Sequence, residues 1–149
     1  MMRYSGKRNG MSKEEELSKY MVLIENYKEQ LNSLEMQYSY LQAAIADYTK
    51  AKMTLEQLSK TDDGTDVLLP IGGSTFINAT AKNTSKVLFD IGGGVVAEKT
   101  SDDAIKKIDE RIENLQKTQE RLSSMAQQIQ TEAAEVSDKA QKLLSEEKK

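Results

Sequence analysis

The sequence predicts an α+β fold: a long antiparallel two-helix coiled coil with a four-stranded β-hairpin region between the helices, which assembles with other subunits into a barrel or sandwich. Three observations lead there. Two long stretches repeat apolar residues at steps of three and four. The glycine-rich segment between them holds short alternating runs typical of strands. A two-helix coil has no third layer to cover such strands, so their apolar face has to be buried by other chains.

Residues 1–11 read as a flexible leader, in which Arg3, Lys7 and Arg8 form a basic cluster free of acids. Translation can begin at Met1, Met2 or Met11, because Ser12 and Glu15 have the spacing of a helix N-cap box. The N-terminal coiled-coil helix is expected over 12–60. From Leu17 its seam runs Tyr20, Ile24, Tyr27, Leu31, Leu34, Tyr38, Leu41, Ile45 and Tyr48 without a polar interruption. Lys52 breaks it, Leu55 resumes it, and "KTDDGTD" ends it with turn residues. As a helix this arm would be about 70 Å long.

The middle, 61–100, contains an internal repeat. "VLLPIGG" from Val67 and "VLFDIGG" from Val87 agree at five of seven positions, twenty residues apart. Alternation places Val67, Leu69 and Ile71, and likewise Val87, Phe89 and Ile91, on one face. Each repeat is followed by a further strand, "STFINATA" with Phe76 and Ile77, and "VVAEK" with Val95 and Val96, and "KNTS" is a turn between them. The run "DIGGGVVAEK" is not a phosphate loop. Such a loop needs glycines opening directly into a helix, whereas a strand follows here and Lys99 and Thr100 come too late. The glycines instead supply the positive φ of a hairpin turn or bulge.

The C-terminal coiled-coil helix is expected over 101–147. Either Thr100 or Ser101 can cap it, with Asp102 and Asp103 facing the positive end of the helix dipole. Its seam runs Ile105, Ile108, Ile112, Leu115, Gln119, Leu122, Ala126, Ile129, Ala133, Val136, Ala140 and Leu143, with Gln119 the polar exception. Antiparallel pairing sets Tyr20 opposite Ala140, Tyr27 opposite Ala133 and Leu34 opposite Ala126. Large faces small three times, which keeps the seam evenly filled. Leu17 with Leu143, Ile24 with Val136, Leu31 with Ile129 and Tyr38 with Leu122 complete the layers. A shift by one heptad keeps some of these matches.

Composition removes most enzyme classes. The chain has no Cys and no His, which excludes thiol nucleophiles, imidazole acid–base chemistry and thiolate or imidazole zinc sites. Charged residues make up 30% and aromatics 5%, as in long exposed helices. The 21 basic and 24 acidic residues alternate along the chain, leaving no footprint for nucleic acid. No run approaches a signal peptide core or a membrane span, so the reading is a cytoplasmic protein without a membrane partner. Asp62, Asp63 and Asp66 share a turn in which solvation explains them. The glycosylation patterns at Asn78 and Asn83 are chance matches in such a chain.

The order helix, four small strands, helix, with "VLLPIGGSTFINA" around Pro70 and "GGGVVAEKTSDDAI" leading into the second helix, resembles the α-type subunit of prefoldin. The resemblance covers Leu17 to about Leu144, and two hairpins rather than one place it with the α class. It implies an ATP-independent chaperone, neither an enzyme nor a cofactor-dependent protein, with two α and four β subunits. Their strands would form an inter-subunit β-barrel platform carrying six coiled coils. The tips would hold unfolded polypeptides and deliver them to a group II chaperonin.

The residues supply their own candidates for those roles. Antiparallel arms bring both helix ends to one tip, where Met21, Val22 and Leu23 leave the seam and Leu144 flanks Leu143. With Leu17, Tyr20, Val136 and Leu143 they form the candidate client surface. Scattered surface apolar residues are also ordinary. Val67, Leu69, Ile71, Phe76, Ile77, Val87, Phe89, Ile91, Val95 and Val96 are the candidates for oligomerisation. Met36, at an outward position, and Met125, beside the seam, fall at nearly one height along the coil and suit a promiscuous grip, with core-edge packing the preferred role; the seam tyrosines belong to the core with hydroxyls at its rim. The alternative function is a structural coiled-coil adaptor that links folded partner proteins.

Overall fold

A computed structural model describes residues 12–61 and 63–147, so the leader 1–11 and Asp62 lie outside the described residues. The order is α1 (Lys13–Leu58), β1 (Thr65–Gly72), β2 (Thr75–Ala81), β3 (Lys86–Gly92), β4 (Val95–Thr100) and α2 (Ser101–Glu147). Among the described residues every glycine and the single proline fall outside the two helices, which removes the residues that most weaken a helix interior. Among the described residues no helix is long and apolar enough to cross a membrane.

Both helix starts are capped by the residues the sequence marks. The Glu15 N–H donates to Ser12 Oγ at 3.2 Å. At α2 the cap is Thr100, whose Oγ1 accepts the Asp103 N–H at 3.1 Å. Ser101, the other candidate cap, instead ties the helix start to the connection between β2 and β3. It is buried, its N–H donates to the Ser85 carbonyl at 2.9 Å, and its hydroxyl donates to the Thr84 carbonyl at 3.0 Å. At the end of α1 the Lys60 and Thr61 amides donate to the Gln57 and Leu58 carbonyls, which tightens the last turn.

The chain divides into two compact units, one holding the residues up to Tyr40 and from Thr118 on, the other Leu41–Lys117. In the first, Lys13 pairs with Glu146 at 3.6 Å. Leu34, Gln119, Leu122 and Ala140 are buried there, and the other seam residues are half-buried except Tyr38, which is exposed at the edge. In the second, Ile45 and Ile108 are buried, Lys52 pairs with Asp109 at 2.8 Å, and Arg111 reaches the Tyr48 hydroxyl at 3.3 Å. All three cross-helix pairs lie within one residue of the register that sets Tyr20 opposite Ala140. The pairing is antiparallel and unshifted.

Each pair of strands is a separate antiparallel hairpin, β1 with β2 and β3 with β4. The repeat folds the same way twice. Register shifts between Pro70 and Gly72 and between Asp90 and Gly92, so Ile71 and Ile91 sit in bulges and the alternation expected to align them with Val67 and Val87 stops short of them. The two-residue turns are Gly73-Ser74, with φ of 57° and 58°, and Gly93-Gly94, with φ of 61° and 79°. Positive φ at both positions gives the turn whose twist suits a hairpin. The long-range ties in this region converge on Thr84, whose N–H donates to Asp63 Oδ1 at 3.1 Å and whose hydroxyl donates to the Thr61 carbonyl at 3.3 Å.

Three outcomes follow. Leu34 is 7% exposed and Met36 is 71% exposed. Leu34→Ala is therefore expected to lose about 2–3 kcal/mol in denaturant unfolding, and Met36→Ala to stay within about 0.5 kcal/mol of the native chain. At Gly92, φ is 124° and an added methyl would meet no atom within 4 Å, so backbone conformation alone opposes a side chain. Gly92→Ala should cost at least about 1–2 kcal/mol, whereas Gly93→Asn, at φ of 61° in the left-handed region asparagine tolerates, should be close to neutral by the same assay. The Asp109 carboxylate, by its hydrogen bond and charge and against partial desolvation, holds the Lys52 ammonium above the usual lysine range. A raised value means the stabilisation is complete below the unfolded lysine pKa and is lost as pH climbs through the folded one. The stability difference between the native chain and Lys52→Met, followed by denaturant midpoints, should stay constant through neutral pH and shift against the native chain only above the ordinary lysine value.

Candidate functional site

The described residues present two sets of exposed apolar side chains, one in each unit. In the first unit the Lys13–Glu146 pair ties the start of α1 to the end of α2. Close to it, Leu17, Tyr20, Val136 and Leu143 are half-buried seam residues, so they contribute edges rather than open surface. Met21, Val22, Leu23 and Leu144 are exposed, Met21 at 62%. The three consecutive α1 residues turn through about 200° of helix circumference, given 3.6 residues per turn. Tyr20 is fixed below them: its hydroxyl donates to Glu16 Oε1 at 3.2 Å, and desolvation followed by that carboxylate pushes the phenol pKa up.

Further along the same unit, Leu31, Leu34, Tyr38, Leu122 and Ala126 line an open groove of about 440 Å³. Leu34 and Ala126, expected to fill one layer evenly, both border this groove. The core-edge assignment of the methionine pair needs correction. Met36 stands on the outer surface of α1 and Met125 is exposed beside the seam. Tyr40, one turn on from Met36 and 82% exposed, belongs with them; periodicity does not single it out, because it falls where a polar rim is expected. Exposed large apolar residues are concentrated on α1, where Met21, Val22, Leu23, Met36, Tyr40 and Met53 face water, against Met125 and Leu144 on α2.

In the second unit the oligomerisation candidates separate into two groups. Leu69, Ile71, Phe76, Ile77, Ile91, Val95 and Val96 are exposed, while Val67, Val87 and Phe89 are half-buried within the chain. Val87 and Phe89 line a groove with Tyr48, Leu55 and Ile108. The opposite face carries two residues outside the sequence-based set: Leu68, exposed, and Leu88, 74% exposed. The signal was present, since three consecutive apolar residues in a strand cannot all share one face. The ladder pairs Leu69 with Ile77 and Pro70 with Phe76, so the first hairpin bears apolar side chains on both faces.

Nothing in either set is arranged for catalysis. The surfaces consist of carbon, methionine sulfur and phenol groups. Among the described residues no buried side-chain polar atom lacks a hydrogen-bond partner.

Comparison with known proteins agrees with this arrangement. A family model described as prefoldin subunit matches residues 27–146. The chain is 30% identical over 109 residues to the prefoldin subunit alpha of Archaeoglobus fulgidus, covering 73% of this chain and 80% of that one. It is 32% identical over 107 residues to the prefoldin subunit alpha of Methanosarcina barkeri, and 30% identical over 132 residues to that of Methanococcus aeolicus, the latter covering 89% and 87% of the two chains. In fold it is similar to the filamentous PFD of Methanocaldococcus jannaschii, at a TM-score of 0.57 and 24% identity over 83% of this chain and 97% of that one. It is also similar to the prefoldin beta subunit of Thermococcus strain KS-1, at a TM-score of 0.55 and 17% identity over 85% and 90%. With the family match spanning most of its length and alpha subunits as its relatives, the chain belongs to the prefoldin family as a subunit of the alpha type.

Proposed function

We propose that this chaperone subunit holds unfolded polypeptides on the apolar surface formed by Met21, Val22, Leu23 and Leu144, and passes them to a group II chaperonin in the cytoplasm. Two copies would assemble with four beta subunits through the hairpins, whose strands close a β-barrel platform. The observation that carries the reading is the exposure of three consecutive apolar residues on α1, beside the ion pair that joins the outer helix ends. Such residues gain no seam packing and cost solubility, so their use lies in contact with something else. Methionine adds a flexible, polarisable side chain that adapts to varied partners.

Each tip offers little area, and a single contact would be weak. Six tips on one platform turn later contacts into intramolecular ones, and avidity then exceeds any single affinity by about 10²–10⁴. Weak individual contacts also allow release without ATP. No catalytic group is required, in keeping with a family of chaperone subunits rather than enzymes.

The test is the triple variant Met21→Ser, Val22→Ser and Leu144→Ser in the assembled complex, with aggregation of a guanidinium-unfolded protein followed by light scattering after dilution. The variant should assemble normally and suppress aggregation at least tenfold less well per complex. Undiminished suppression would reject these residues as the holding surface. Native binding to one folded protein, with no effect on the unfolded chain, would favour an adaptor instead.

A further inference from the structure

The two hairpins share a turn, a bulge and most of a sequence, yet within their unit they are held differently. Hairpin β3–β4 is gripped by one side chain of α2. The Arg111 guanidinium lies 4.6 Å from the centroid of the Phe89 ring and 5.7 Å from that of Tyr48. Its Nη1 donates to the Tyr48 hydroxyl at 3.3 Å and its Nη2 to the Asp90 carbonyl at 3.0 Å. Strand β3 is thus held at two adjacent residues, by a ring face and by a backbone oxygen, immediately before its bulge. The Asp90 carboxylate is used within the hairpin, where Oδ1 accepts the Gly92 N–H at 2.8 Å.

Hairpin β1–β2 cannot be gripped in this way. The repeat puts Leu69 and Pro70 where β3 has Phe89 and Asp90. An aliphatic side chain offers no π face to a cation, so the ring half of the grip is missing there, although Pro70 keeps a backbone carbonyl. Leu69 is accordingly exposed where Phe89 is half-buried.

The grip also selects a face. Val87, Leu88 and Phe89 all border the groove with Tyr48, Leu55 and Ile108; Leu88 lies at its rim, because alternation sends its side chain away from the face of Val87 and Phe89 and leaves it 74% exposed. Across the ladder Leu88 is paired with Glu98 and Asp90 with Val96, so Leu88 and Val96 share the outer face, and both are exposed.

We propose that Arg111 is the positioning residue for assembly: by clamping Phe89 and the Asp90 carbonyl it commits hairpin β3–β4 to present its Leu88–Val96 face to a partner subunit. This rests on the reading that the hairpins mediate assembly. A hairpin already fixed in its bound pose loses less freedom on association than a loose one, so removing the clamp weakens assembly without removing any contact to the partner.

The experiment titrates the full chain with a beta-type prefoldin subunit and measures the assembly midpoint by native mass spectrometry, with amide exchange and thermal melting of the chain alone in parallel. Arg111→Ala should raise the midpoint about tenfold or more, a loss of about 1.4 kcal/mol. It should also speed exchange in β3–β4 while exchange in β1–β2 keeps its native rate. Arg111→Lys keeps the charge but not the flat fork, and should recover only part of the loss. Leu88→Asp, at an exposed position, should leave melting unchanged and abolish assembly. Native-like assembly by Arg111→Ala or by Leu88→Asp overturns the proposal, and so does exchange that rises equally in both hairpins. If the native chain itself fails to assemble with the beta subunit, hairpin-mediated assembly falls along with it. If only the variants behave as native, the positioning role alone is lost.

Discussion

Two helices that meet along one seam bury one stripe of each, and whatever lies off that stripe stays in water unless something else covers it. The rest of this chain follows from that limit. Its buried hydrophobic residues are few and, apart from Ala104, are all seam positions: Leu34, Ile45, Ile108, Leu122 and Ala140. A single seam cannot cover hairpins with apolar residues on both faces, nor the methionines, valine and leucine that α1 turns outward. These groups stay in contact with water within the chain.

Holding two isolated hairpins in place is the second demand, because a two-stranded ribbon is marginal in water. The chain meets it at the ends and at one flank. At the ends, Thr84, Asp63 and Ser101 connect three loop segments through hydrogen bonds, and the Gly64 N–H donates to the Ala81 carbonyl at 2.8 Å. At the flank, Arg111 and the Val87–Phe89 face seat the second hairpin. Among the described residues the cation–π contacts of Arg111 reach the second hairpin and not the first, so the two copies of one repeat are held differently. That difference traces to Phe89 standing where the first copy has Leu69.

The seam was legible in the sequence because its cause is local. Apolar residues at steps of three and four sit on one side of a helix wherever the helix is, and large facing small then set the direction, while the register stayed open to a shift of one heptad until the cross-helix pairs fixed it. The hairpins were equally legible, since the glycines that need positive φ occur twice in the same setting. What escaped was set by tertiary contact. Ser101 and Ala104 are buried, although neither is a seam position. Arg111 has the pattern of a solvated charge, and its ring partners lie on other elements. Treating each strand as one-faced hid Leu68 and Leu88, and the bulges removed Ile71 and Ile91 from the alternation.

The pattern of exposure at Met21, Val22 and Leu23 bears on the kind of partner this surface suits. A folded protein that docks on a helix is met by a stripe, residues three and four apart, because its own surface is fixed and approaches from one direction. Consecutive residues wrap the helix instead, and their side chains point outward over about 200° of its circumference. That arrangement sacrifices complementarity to any single surface and gains contact from many directions. An unfolded polypeptide has no fixed surface to match, and apolar side chains reach it from every side, so wrapping is the better geometry for it. The same residues would make a poor address for one folded partner, and on that ground the holding role stands ahead of the adaptor.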